Sequence, residues 1–324
     1  MRITLSSRFV ALTAGAAIAV GAQALLPQAA TAAAPAVRAT HPARRAHVAP
    51  VVHTTQAVRT ASVVRKADAA DGAAAVAAAR RAAWEAGDTA GRGLRLVHGG
   101  PVAAALGKIF FTLGGSDFVC SGALVRSKHA YVVLTAAHCV RNGRGQWATN
   151  WTFVPGYNDG TDPYGQFTAH RFFVSPRWTG PDTGSERYDV AFVQVTPVTA
   201  YRSVTRRAGR PAGLPLRFAA TASAVGSSLA YVFGYPALAP YSGLYANYCA
   251  GQAAASSIRP GSVQTLCAMT AGDSGGPWLA GFSPRAGTGT VTAVTAYKLS
   301  GNLRTLYGTV LGPSARALYL KASA

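Results

Sequence analysis

Acidic side chains are scarce in this chain. Eleven Asp and Glu stand against 31 Lys and Arg in 324 residues, a net charge of +20. Such an excess first suggests nucleic acid or another polyanion as partner. The distribution argues otherwise. Residues 1–100 carry twelve basic and four acidic side chains, residues 101–324 carry nineteen and seven, and the tightest basic group of the second part is only Arg206, Arg207 and Arg210. No nucleic-acid partner is expected. Cysteine is scarce too: Cys120, Cys139, Cys249 and Cys267 are 19, 110 and 18 residues apart, with no CxxC or HxxxH ligand pair, so no metal site is expected. Past the N-terminus no apolar run is long enough to cross a membrane. No repeat period suggests a solenoid or propeller.

The N-terminus is rich in what the rest lacks. Arg2 and Arg8 precede the apolar FVALTAGAAIAVGAQALL, and small residues follow, ending in Ala30-Thr31-Ala32. This is the pattern of a secretory signal over residues 1–32, cleaved after about Ala32. Gly15, Gly21 and Gln23 interrupt the run and disfavour the competing reading as an uncleaved anchor. The expected mature protein is secreted, monomeric and without stable membrane association. Export permits disulfides, and four cysteines allow three connectivities between which their order does not choose.

Residues 33–98 read as a prosegment or linker. Ala33 to about Lys66 is mostly Ala, Pro, Val, Thr, Arg and His without periodicity, which predicts no packed structure. Ala67 to Gly87 is rich in helix formers, with Asp68 or Asp71 able to cap its start and Gly87 able to end it.

From residue 99 to 324 the texture is different: short runs rich in Val, Phe, Tyr and Thr, broken by Gly, Asn, Asp and Pro. Ten such runs, from KIFFTL to TLYGTVL, predict an all-β domain. Pro197 to Phe218 resembles a connection between two halves, about 99–200 and about 213–316, each with enough strands for a small antiparallel barrel. SARALYLKA predicts a short C-terminal helix.

One stretch, MTAGDSGGPW, surrounds Ser274 with glycines. A serine hydroxyl needs a base to take its proton and donors for the oxyanion formed when it attacks a carbonyl. Gly272, Gly275 and Gly276 allow a tight turn in which the N–H groups of Gly272 and Ser274 point at one oxygen. Among His129, His138 and His170, the histidines of the β-rich part, His138 in LTAAHCV is the candidate base: it follows a strand, with small neighbours. The carboxylate that would orient it must be buried. Asp189 precedes the apolar strand VAFVQV, whereas Asp117, Asp159, Asp162 and Asp182 lie in Gly- or Pro-rich loops.

CSGALV, LTAAHC, YDVAFV and GDSGGPW, in that order, resemble the signature blocks of trypsin/chymotrypsin-like serine peptidases, in particular their secreted bacterial branch. The resemblance spans about residues 100–315. It implies two β-barrels with the site in the cleft between them, a triad of His138, Asp189 and Ser274, an oxyanion hole from Gly272 and Ser274, and disulfides Cys120–Cys139 and Cys249–Cys267. It implies a peptide or protein substrate and no cofactor. Asp273, which in the animal enzymes corresponds to the partner of a newly cut N-terminus, faces only a loose counterpart in RLVHGGP, and an internal donor is the expected partner. The acid that trypsin-like members carry six residues before the nucleophile is Ala268 here. Ala268, Ala271, Ala296 and Tyr297 suggest a largely apolar substrate pocket, with Lys298 nearby able to meet an acid, and the expected preference is an uncharged apolar residue before the scissile bond. The sequence therefore points to a secreted serine endopeptidase, a zymogen made with a signal and prosegment. The rivals are a non-catalytic secreted binding protein on the same fold, docking on anionic surfaces through its charge, and an esterase. The order Ser, acid, His of the α/β-hydrolase scaffold is excluded, since no histidine follows Ser274.

Overall fold

The computed structural model describes residues 62–97, 99–198 and 211–324. The expected signal segment, residues 33–61 and the Arg206, Arg207 and Arg210 group lie outside these residues. The described elements are mostly strands. Helix α1 (Ser62–Ala86) precedes the short β1 (Leu94–Arg95) and α2 (Gly100–Ala105). Then come β2 (Leu106–Leu113), β3 (Ser116–Val125), β4 (Tyr131–Thr135), β5 (Thr149–Pro155), β6 (Phe167–Val174) and β7 (Ala191–Pro197). The second half holds β8 (Leu229–Gly234), β9 (Asn247–Gln252), β10 (Ala254–Ala255), β11 (Ser262–Leu266), β12 (Pro277–Ser283), β13 (Thr288–Leu299), β14 (Asn302–Val310) and the closing helix α3 (Pro313–Ser323).

Strands β2 to β7 form a closed antiparallel barrel in the order β2-β3-β4-β7-β6-β5. Ile109, Leu124, Leu134, Phe153, Phe167 and Phe192 are fully buried in its core, and burial of such side chains drives its closure, at about 1.5–3 kcal/mol each. A Cβ on Gly107 would collide with the Phe153 ring, so only glycine lets β2 cross there. Helix α3 covers this barrel: Tyr319 packs on Phe192 and Phe218 and donates to the Arg126 carbonyl at 2.6 Å.

The second half is an eight-stranded antiparallel sheet in the order β1-β9-β8-β12-β13-β14-β11-β10, whose ladder does not close on itself. Cys249 lies on β9, second from one edge, and Cys267 follows β11, second from the other. Their disulfide, with Cα atoms 5.6 Å apart, bridges the ladder's gap. Trp278, Val232, Val263, Met269 and Leu306 fill this core. Of the connection expected over 197–218, the described part is shared between the halves: Leu214 pairs with the end of β3 and Leu216 with Val291 of β13.

The helix expected from Ala67 begins five residues earlier, at Ser62, and ends as expected at Gly87, whose φ of +67° suits only glycine well. Its last turn packs against the second sheet. The Trp84 ring meets Tyr231, Phe233, Tyr248 and Phe282 edge-on, and its Nε1–H donates to the Pro284 carbonyl at 3.1 Å. Buried Thr89 exchanges hydrogen bonds with Ala250, and β1 adds a strand beside β9. Residues 84–97 are thus built into the second sheet.

Candidate active site

Register alone brings two of the candidate residues together. Strands β4 and β7 are antiparallel neighbours, and Thr135, the last residue of β4, pairs with Ala191, the first of β7. His138 lies three residues beyond one and Asp189 two residues before the other, so both emerge at the same edge of the barrel. A 3₁₀ turn, Ala137–Cys139, turns the imidazole toward the carboxylate. Asp189 accepts from His138 Nδ1 at 2.7 Å and from the His138 backbone N–H at 2.9 Å. An ionised carboxylate can only accept, so Nδ1 carries the proton and Nε2 is left with its lone pair. Asp189 is 2 % exposed, as the expected role requires, while the imidazole is 26 % exposed. Burial pulls the His138 pKa down, but the charge and hydrogen bond of Asp189, with the charge of Asp273, outweigh it and raise the value above 6.5.

Ser274 reaches this edge through backbone contacts. Its carbonyl accepts from the Ser121 N–H of β3 at 2.8 Å and lies 3.8 Å from Sγ of Cys139, the residue after His138. A Cβ on Gly275 would overlap Thr135 Oγ1 and the Ser121 carbonyl, so the glycine is what lets the serine turn press against the first barrel. Gly275 N–H in turn donates to Thr295 of β13. The Ser274 hydroxyl itself hydrogen-bonds to nothing among the described residues, the imidazole included. In ligand-free hydrolases such bonds are often long and tighten only around substrate.

Gly272 has φ +104°, and a Cβ there would strike Tyr235 and Ala237. Its carbonyl accepts from Ser121 Oγ at 2.8 Å. Neither the Gly272 nor the Ser274 N–H has a protein acceptor among the described residues. Two unoccupied amides beside a half-buried serine can receive an oxyanion.

Both expected disulfides form; Cys120–Cys139 ties β3 to the turn carrying His138. Cys120, His138 and Cys139 converge as metal-ligand types do, but the two sulfurs are bonded to each other and have no thiolate to offer. The other candidates lie elsewhere. His129 and His170 line a cavity of about 400 Å³ with Gln194. Asp117 accepts from Thr112, Asp159 from Tyr245, Asp162 from Gln166, and Asp182 pairs with Arg259.

Asp273 is 3 % exposed, and its Oδ2 has no hydrogen-bond partner among the described residues. No donor among the described residues reaches that oxygen, and the internal donor that the carboxyl does have is a backbone N–H, its own. Burial pushes its pKa up to about 7 against the opposing charges of Lys298 and His138. Of the expected pocket residues, Ala296 is buried, Ala268 and Tyr297 half-buried and Ala271 exposed. Tyr297 stacks on Tyr307 at 4.9 Å and donates to Ser262 Oγ.

Several supporting residues carry no sequence signal of their role. Ser121 Oγ bonds both Gly272 and Tyr235, although CSGALV marks only the cysteine as notable. Buried Glu186 opens the 3₁₀ turn before Asp189; it accepts from Arg259 at 2.9 Å, and its carbonyl accepts from Thr309 of β14. These bonds tie the Asp189 turn to the second half, and no local pattern could have paired residues so far apart.

Comparison with known proteins places this arrangement. Residues 120–281 match the trypsin-like peptidase domain. The protease Anisep from Arthrobacter nicotinovorans shares 33% identity, with a TM-score of 0.59 over 69% of this chain and 97% of Anisep. The thermostable serine protease AL20 from an extremophilic microorganism shares 28% identity, with a TM-score of 0.58 over 68% of this chain and 97% of its own. No curated protein matches. The chain belongs to the trypsin-like peptidase family and is a serine endopeptidase of the bacterial trypsin/chymotrypsin-like type.

Proposed function

We propose that this endopeptidase is secreted and that Ser274, His138 and Asp189 act as its triad. His138 Nε2 takes the proton of the Ser274 hydroxyl as Oγ attacks the peptide carbonyl, and then gives it to the leaving amine. Water hydrolyses the acyl-enzyme by the same route in reverse. Asp189 holds the imidazole tautomer and balances its cation. The N–H groups of Gly272 and Ser274 receive the oxyanion, a term whose loss costs a hydrolase about 3–4 kcal/mol per donor. The observation that carries this reading is the 2.7 Å bond of buried Asp189 to Nδ1 of an imidazole whose turn also contacts the Ser274 backbone.

In this reading residues 1–32 are the export signal, residues 33–98 the prosegment of a zymogen, of which the docked part from Trp84 to Val97 stays with the second sheet, and residues 99–324 the peptidase domain, acting as a monomer without stable membrane association. The two disulfides fit an oxidising exterior. The Arg95–Leu96 bond is a poor activation site. Arg95 is paired with Asn247, its guanidinium lies 3.5 Å from the Tyr245 ring centroid, and Leu96 N–H donates to the Ala246 carbonyl. A protease needs that backbone free.

The test is the secreted protein with and without Ser274→Ala. The native protein is expected to label with a fluorophosphonate at Ser274 and to hydrolyse casein, and the variant to do neither. A folded native protein that fails to label favours the non-catalytic binding protein. N-terminal sequencing of active material beginning at Leu96 would overturn the argument about Arg95.

A further inference from the structure

A lysine, Lys298, links the two stretches whose residue types suggested an apolar pocket, Ala296–Tyr297 and the chain around Ala268. Lys298 follows Ala296 and Tyr297 on β13, and its side chain reaches the segment just before Ala268. Its Nζ donates to the Cys267 carbonyl at 2.6 Å and to the Leu303 carbonyl at 2.5 Å. Cys267 immediately precedes Ala268, six residues before Ser274. The ammonium is thus placed beside Ala268 from one direction and carried by the Ala296–Tyr297 strand from the other.

Its frame is rigid. Cys267 is held by the disulfide to Cys249 and by its own N–H on the Arg304 carbonyl at 2.7 Å, while Ala268 N–H donates to Gly91 of the docked N-terminal segment at 2.8 Å. Two of the three ammonium donors are occupied by these carbonyls, and neither acceptor is charged. Among the described residues no carboxylate forms an ion pair with Lys298. Asp273 contributes only through its field, opposing the lowering of the Lys298 pKa by burial.

We propose that the Lys298 ammonium determines the specificity of this pocket and that the enzyme cleaves after glutamate or aspartate. This rests on Ser274 being the nucleophile, since the pocket is defined by its distance from that residue. The alanines at 268, 271 and 296 offer no competing polar group. A substrate carboxylate would accept the third N–H in a charge-assisted hydrogen bond. A basic side chain would bring a second cation to the ammonium, and an apolar one would cover a donor without pairing it, which is costly once water is excluded. The apolar preference suggested by residue types alone is therefore replaced by an acidic one.

The experiment compares peptides that differ only in Glu, Gln, Leu or Arg before the scissile bond, using the active enzyme and its Lys298→Met and Lys298→Arg variants. The native enzyme is expected to favour Glu over isosteric Gln at least ~10-fold in kcat/KM, as loss of a charged partner typically costs. Lys298→Met should lower the Glu value ~10–100-fold while leaving Gln and Leu within about threefold, and Lys298→Arg should retain the preference for Glu. A native enzyme that prefers Leu or Arg, or a Lys298→Met variant with an unchanged Glu to Gln ratio, overturns the assignment. If the methionine variant does not fold, the native Glu to Gln ratio alone decides. Fluorophosphonate labelling in parallel separates the two readings: labelling without acidic preference sinks only the role of Lys298, whereas no labelling sinks the nucleophile and this assignment with it.

Discussion

Ser121 of the first barrel donates its hydroxyl to the Gly272 carbonyl and accepts the Tyr235 N–H, each at 2.8 Å. One buried side chain thereby fixes the Gly272–Asp273 peptide plane, adjacent to the plane that carries the Gly272 amide, from the half of the molecule that does not contain it. Ser121→Ala leaves a buried carbonyl and a buried N–H unpaired, at about 1–3 kcal/mol. The expected result is a fall in kcat of ~10-fold or more with KM little changed, because an oxyanion donor acts mainly in the transition state. Steady-state kinetics on one peptide measures both.

The pH dependence of kcat/KM follows from His138, which must be neutral to act as base. Its pKa is raised, so activity falls as pH drops through a value above 6.5. Asp273→Asn removes one of the charges that raise it and should move this limb to lower pH. Asp189→Asn should instead lower kcat by about 10⁴-fold, since an amide can stabilise the wrong tautomer. A pH–rate profile of the three proteins checks the order.

Asp273 has the opposite consequence for stability. Its pKa is about 7 in the folded protein against 3.8 when exposed. Between these values the unfolded chain has released a proton that the folded one keeps, so this group makes stability fall as pH rises from about 4 to 7, and the loss persists above. The Tm of Asp273→Asn relative to the native protein should therefore increase from pH 4 to pH 8. A difference independent of pH would contradict the burial argument.

Trp84 anchors the N-terminal helix in a ring of four aromatic side chains. It is only half-buried, so Trp84→Ala should cost about 2–3 kcal/mol, less than for a fully buried tryptophan. Chemical denaturation gives the value. Limited proteolysis should then cut earlier within residues 74–97 than in the native protein.

Much of this was legible in the chain. The runs YVVLT on β4 and AFVQV on β7 gave themselves away by their β-branched and aromatic content, and GDSGGP by a glycine density that only a constrained turn needs. The strands that escaped notice were β1, β9, β10 and β11. In β9 the residues are NYCAGQ and in β11 SVQTL, short and mixed, and each is a strand because its neighbours supply hydrogen bonds and burial, not because its composition demands it. Helix α2 was missed because GPVAAA is too short to show a period.

Local chemistry along the chain determined the residue types of the site and the strands around them: a serine among glycines, a histidine after one strand, an acid before another. Tertiary structure alone decided that Thr135 faces Ala191, that Glu186 meets Arg259, and that the Lys298 ammonium donates to the Cys267 carbonyl. Those relationships join residues 31 to 73 positions apart, and they exist only once register and closure bring distant backbones within hydrogen-bonding reach.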